Sequence, residues 1–424
     1  MTPHRNTNPP TRGRRRGALL TGALALTAAS AAAGTAAASP AESLTLWVYD
    51  DGRIQILTEL GAEFEEEFGI GVTVEAVDLA ELRNQILLGV EGEGPDLAII
   101  PHDNLGALVE NGAVLPADVG DKVDEYLPGA IEGFTYEGEL MGIPLAVENI
   151  GLFYNTELVE EPPATWDELR DVGAALVESG EADAAIGFPD LTYNAYPLYT
   201  SYGGYIFGRD ESGSFTAEDL GLASDGMVAG LSYIGDLAAD GLIPENVDWE
   251  AAHVLFEEGR EPFLATGPWA LNRIRESGVP YAITSFPAAE AGGEAGAPFL
   301  GVQGLVVSAS SEQALLAQAF ASEKIATEDS MRRIFEAEPR PSAWTSVYEL
   351  ADDTDAVAFN AAGESAEPMP AIPAMGFVWD AWVDAGTLVV TGELEPADAL
   401  TQAATAVETQ IASGDTGMPV VTEG

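Results

Sequence analysis

The chain has 424 residues, 46% of them hydrophobic and 21% charged, with 70 acidic residues against 17 basic and a net charge of −53. That length suggests two or three domains with sizeable cores, and the acidity excludes nucleic acid as a partner, because one polyanion repels another. The lack of cysteine excludes disulfides, thiolate metal sites, cysteine nucleophiles and lipid attachment through an N-terminal cysteine.

Five arginines (Arg5, Arg12, Arg14, Arg15, Arg16) precede any acidic residue, and an Ala-rich apolar run follows from Gly17 to Ala33. Small residues then offer cleavage after Ala38 or Ala41. This order predicts a secretory signal over 1–41. Arg15-Arg16 ahead of Leu19-Leu20 fits the twin-arginine type. The alternative is a membrane anchor, although the small residues shorten the strongly apolar stretch. Export leaves the protein at the cell surface, in the periplasm or outside the cell. Without the signal, 12 basic and 70 acidic residues remain, a net charge of −58, with Lys122 and Lys324 as the only lysines. The acids are scattered through every segment, which suits a solvated surface adapted to salt.

Leu44 to Tyr49 alternates and reads as a strand. Ile54, Leu57, Leu60, Phe64 and Phe68 recur at steps of three and four, predicting a helix that Gly69 and Gly71 end. Val72 to Val77 is strand-like, Leu79, Leu82, Ile86 and Leu87 form a second helical stripe, and Asp96 to Ile100 is a third strand after the Gly94-Pro95 turn. Strands alternating with helices imply a mostly parallel sheet covered on both faces. Met141 to Leu145 and Gly151 to Tyr154 look extended. Thr165 and Glu168 form a capping box for the next helix. Further helices are expected over about 226–239, 249–258 and 396–411, a loop over 288–297, and a strand over 304–308.

Several local patterns follow one another in an order that resembles the maltose/maltodextrin-binding proteins, within the extracellular solute-binding proteins. They include Leu46-Trp47, Phe68-Gly69-Ile70, Gly94-Pro95-Asp96, His102-Asp103, Ala146-Val147-Glu148 and Thr165-Trp166-Asp167-Glu168. Gly203-Gly204-Tyr205, Gly267-Pro268-Trp269, Met369-Pro370 and Ile372-Pro373 continue the series. The likeness extends over nearly all of 44–411. It implies a two-lobed α/β fold of the type II periplasmic-binding-protein kind, with a hinge and an interlobe cleft. One lobe would take 42–147 plus 288–350 and the other 151–286 plus 355–424. It also implies the substrate-binding component of an ABC transporter, without enzymatic activity or cofactor. Such a protein would be a monomer that captures an oligosaccharide and docks on a permease with its ATPase subunit.

A sugar needs carboxylates and amides at its hydroxyl edge and flat rings against its C–H faces. The residues that match the family's polar positions are Asp51, Glu81, Asp103 and Glu148. Tyr193, Trp269 and Trp379 match its aromatic positions, and Asn104 and Met369 complete the ligand-binding set that the resemblance implies. Each has a plainer reading. Asp51 and Asp103 precede helices and so could be caps, Glu148 could lie on the surface, the tryptophans could be core, and the Met369–Pro373 segment could be a rigid surface loop. His102 reads as a local hydrogen-bonding residue rather than a metal ligand, and three histidines make a metal cluster improbable. The chain departs from the maltose pattern at Gly52, Ile100, Asn104, Leu191, Asp380 and Val383. Trehalose, another oligosaccharide or a polyamine therefore stay open as ligands. A glycoside hydrolase stays open too, although 70 acids make carboxylate pairs uninformative.

Overall fold

The strands form where β-branched and aromatic residues alternate, and in the computed structural model they begin at Ser43–Val48. The structure describes residues 43–413 apart from 50–51, 89–93, 212, 245–246 and 350–353. The predicted signal over 1–41 lies outside the described residues.

Ser43–Val48 pairs in parallel with Gly71–Ala76 on one side and Leu97–Pro101 on the other. The helix between the first two strands, Ile54–Phe68, buries Leu57, Leu60 and Phe64 and ends at Gly69, whose φ of 76° is open to a residue without Cβ. The helix Leu79–Leu88 follows the second strand and buries Leu82, Ile86 and Leu87. The long strand Phe299–Ser308 then joins antiparallel to Leu97–Pro101 and also pairs with Ile143–Glu148. Sequence periodicity finds only the second half of that strand, because Gly301 and Gln303 dilute its first half.

A second, three-stranded sheet is centred on Gly151–Asn155, flanked by Phe263–Thr266 and Tyr281–Thr284. The fold is thus a two-lobed α/β structure with two main cores. One core draws on residues 44–145 and 302–347, the other on residues 150–299 and 369–407. Trp166 and Trp382 are fully buried in the latter, and each such ring removes about 150–250 Å² from water. Thr165 caps the helix Trp166–Ser179 by accepting from the Glu168 backbone, as the sequence predicts. The Glu168 carboxylate accepts from Ala164 rather than from Thr165 itself.

The chain passes from the first sheet to the second within three residues, Glu148 to Gly151. Asn149 is buried there. Its side-chain amide donates to the carbonyls of Ile150 and Phe359, and a Cβ on Gly363 would come within 2.5 Å of its Oδ1. The helix Thr354–Ala362 is thereby pinned to the crossing. The Met369–Pro373 segment is not a surface loop. Met369 is buried, and the Ala371 carbonyl would lie 2.4 Å from a Cβ at Gly106. Only glycine at position 106 lets the two backbones approach so closely.

Candidate functional site

The central strand Phe299–Ser308 organises the site from both of its edges. Toward Leu97–Pro101, the Val302 backbone N–H donates to His102 Nδ1 at 3.1 Å. Burial pulls the His102 pKa down to about 4, so the ring is neutral and acts as a local acceptor. Toward Ile143–Glu148, Gly301 sits opposite Glu148, and Gln303 Nε2 donates to Glu148 Oε1 at 2.7 Å. Asp103 and Glu148 therefore project from the ends of two strands that flank the same three residues. Glu148 is buried, not on the surface, and Asp103 is buried as well.

Asp103 is no helix cap. It sits in the short helix His102–Asn104, and its carboxylate accepts from Asn104 Nδ2 at 3.1 Å and from Trp379 Nε1 at 3.1 Å. Burial raises its pKa to about 6, and the Trp379 and Asn104 donors and the nearby Arg83 charge oppose that rise. Trp379 lies on the helix Val378–Val390, on the far side of the chain crossings. Its bond to Asp103 joins the two lobes.

The rings form a continuous set. Phe299 stacks on Tyr196 at 3.7 Å between centroids and on Tyr193 at 5.9 Å, and it meets Trp379 edge-on at 6.3 Å. Tyr193 leans on Trp269 at 6.1 Å. Tyr193, Trp269 and Trp379 are half-buried, whereas Trp382, stacked behind Trp379, is fully buried. The core reading of the tryptophans thus holds for Trp382 and not for the two candidate rings. A Cβ built on Gly267 would lie 2.3 to 2.6 Å from three consecutive carbons of the Trp269 six-membered ring. Such near-equal distances arise only over a ring face, so the glycine backbone backs one face of this indole. Burial, and then the charge of Glu148, hold the Tyr193 hydroxyl well above its ordinary pKa.

The structure brings Asp103, Asn104, Glu148, Tyr193, Trp269 and Trp379 into one region, with Met369 buried beside the His102 end. Glu81 stands apart from them. It is exposed on the first turn of Leu79–Leu88, and its carboxylate accepts from Gln85 of the same helix at 2.7 Å. Asp51 lies outside the described residues. Sequence reasoning misses Gln303, Phe299, Glu338 and Arg340. The signal for the last was available: Pro339-Arg340-Pro341 places one of only ten arginines beyond residue 41 in an extended setting. Among the described residues no group of three or more His, Cys, Asp or Glu is arranged to hold a metal ion, and no helix is long and apolar enough to cross a membrane.

Residues 59–362 match the family described as bacterial extracellular solute-binding protein, and the chain belongs to it. Several of its relatives are binding proteins for oligosaccharides by name. The chain is 30% identical to the galactooligosaccharide-binding protein of Bacillus subtilis, over 89% of this chain and 92% of that one. It is 26% identical to a maltooligosaccharide ABC transporter solute-binding lipoprotein of Streptococcus pneumoniae, over 88% and 90%. It is also 26% identical to a maltodextrin-binding protein of Bacillus subtilis, over 84% and 87%.

Proposed function

We propose that the protein is the substrate-binding component of an ABC transporter for oligosaccharides of the maltodextrin type, exported and working without catalysis. The observation that carries this reading is the meeting of unlike groups from the two lobes. Asp103 and Glu148 come from strand ends of one sheet, and the half-buried rings of Trp269, Tyr193 and Trp379 come from the other core. Strand ends of this kind are where open α/β sheets take ligands. Carboxylates accept from sugar hydroxyls, and indole faces receive sugar C–H groups. A ligand that bridges the lobes has its best contacts when they are closed, so binding shifts the population toward closure. The closed form would then dock on a permease whose partner subunit hydrolyses ATP. Export through a signal over 1–41 and a monomeric state belong to the same proposal, as does the assignment of 42–147 plus 288–350 and 151–286 plus 355–424 to the two lobes.

Galactose-containing oligosaccharides are the second reading, favoured by the full-length similarity to a galactooligosaccharide-binding protein. Calorimetric titration with maltotriose, a galactosyl oligosaccharide, trehalose and spermidine separates the cases. Saturable binding of spermidine alone would reject a sugar, and release of shorter sugars from maltotriose would reject pure binding. Trp269→Ala and Trp379→Ala are each expected to weaken sugar binding with little change in melting temperature, because both rings are only half-buried. Unfolding of both variants would make them core residues.

A further inference from the structure

Residues 341–343 run beside the strand that carries Glu148. Val147 donates to the Pro341 carbonyl at 2.9 Å and Ala343 donates to the Leu145 carbonyl at 3.0 Å, with Ala146 bridging Ser342. This pairing delivers the preceding residue, Arg340, to Glu148. The Arg340 guanidinium lies 3.1 Å from Glu148 Oε2 and 2.9 Å from Glu338 Oε1, and Arg53 Nε is 3.1 Å from Glu338 Oε2. The four side chains are at most 6% exposed. Arg53, Glu338, Arg340 and Glu148 thus form one buried chain of alternating charge, ending on the carboxylate that faces Tyr193 and Gln303.

The same guanidinium carbon stands over the Trp269 ring, 5.5 Å from its centroid, within the range where a cation is attracted to an indole face. A second contact comes from the same two segments. Asn272, three residues beyond Trp269, donates to the Ala337 carbonyl at 3.3 Å. The 337–340 segment therefore touches the Trp269 segment twice while its charge chain ends on Glu148.

We infer that Arg340 is a positioning residue of the sugar site, holding the edge-binding acid Glu148 and the ring Trp269 in fixed relation, with Glu338 and Arg53 behind it. The inference rests on the sugar-binding reading above. Both terminal nitrogens of Arg340 are committed to carboxylates, whereas each Glu148 oxygen, accepting one bond, keeps a further lone pair for a sugar hydroxyl. A bidentate, planar guanidinium can engage two carboxylates and a ring together; an ammonium keeps the charge but loses the fork. Two functional groups from different lobes are thus aligned before sugar arrives, which lowers the ordering cost of binding.

The test has two arms on the purified protein. In the first, maltotriose is titrated by calorimetry. Arg340→Gln is expected to weaken binding about tenfold or more, the scale of losing a hydrogen bond to a charged group, with Arg340→Lys recovering part of the loss. In the second, tryptophan emission is recorded without ligand. Arg340→Gln is expected to change it, and the change should vanish in a Trp269→Phe background. Binding within twofold of wild type, no recovery with lysine, or an emission change that survives in Trp269→Phe would overturn the inference. Should Arg340→Gln not fold, Glu338→Gln keeps the Glu148 pair and loosens only the rear anchor. It should give a smaller loss with the same emission signature, and no effect in either arm would overturn the inference. If wild type binds neither maltotriose nor a galactosyl oligosaccharide, the sugar reading falls, while the ligand-free emission arm still judges Arg340.

Discussion

Two carboxylates, one in each lobe, are buried under opposite conditions. Glu148 accepts from Arg340 and Gln303 in a ladder of paired charges. Glu261 is also fully buried, but among the described residues neither of its oxygens has a hydrogen-bond partner. It adjoins a cleft, with space for about one water, lined by Ile186, Phe188, Ile243, Leu255 and Asp248 among others. Its Oε2 would lie 2.3 Å from a Cβ on Gly187, so the acid rests directly on backbone. Burial alone holds its pKa well above the ordinary carboxylate value. The contrast shows that burial by itself does not mark a site. A buried acid whose partners come from several elements is fixed in place by them, whereas burial without such partners only disfavours the charged form.

The strongest way to break this comparison is Arg53→Met, which takes a cation from the rear of the ladder. Removing one partner of a buried ion pair is expected to cost about 3–5 kcal/mol of stability, measured by urea unfolding. A loss below about 1 kcal/mol would mean that the ladder is solvated like a surface pair. The next largest effect runs the other way. The folded-state pKa of Glu261 is raised, so its contribution to stability is fully present below the unfolded carboxylate range and is lost as pH rises toward the folded value. Glu261→Met should therefore stabilise the protein by about 1–3 kcal/mol at pH 8 and by less at pH 5. Equal effects at both pH values would show that this acid has a hidden partner. The last effect, no larger than the second, sharpens the contrast at the site itself. Asp103 titrates near pH 6 through burial, and a neutral carboxyl is a weaker acceptor. Sugar affinity should fall as pH drops through about 6, and Asp103→Asn should bind about 1–3 kcal/mol more weakly with that pH dependence removed.

How much of this was legible beforehand differs between the two acids. The helix Ile54–Phe68 and its Gly69 stop, the Thr165 cap and the early parallel strands were readable, because each depends on neighbours in sequence. The rings and acids around Asp103 became candidates through family resemblance alone; nothing local distinguishes Trp379 from the core residue Trp382 three positions on. Arg340 and Gln303 were missed because their roles come from strand pairing over 150 residues or more. Glu261 was invisible for the same reason. Its isolation is set by which apolar side chains surround it, and these lie up to 75 positions away.

The clamp at Asn149 bears on how the molecule can move. A carbonyl 210 positions away holds this side chain, and Gly363 packs against it with no room for a methyl group. Any backbone rotation at residues 149–150 must therefore drag the Thr354–Ala362 helix along or tear a buried amide from its acceptor. Bending at one strand crossing is geared to displacement of the return segment, so the connections turn as a linked pair rather than as separate flexible tethers.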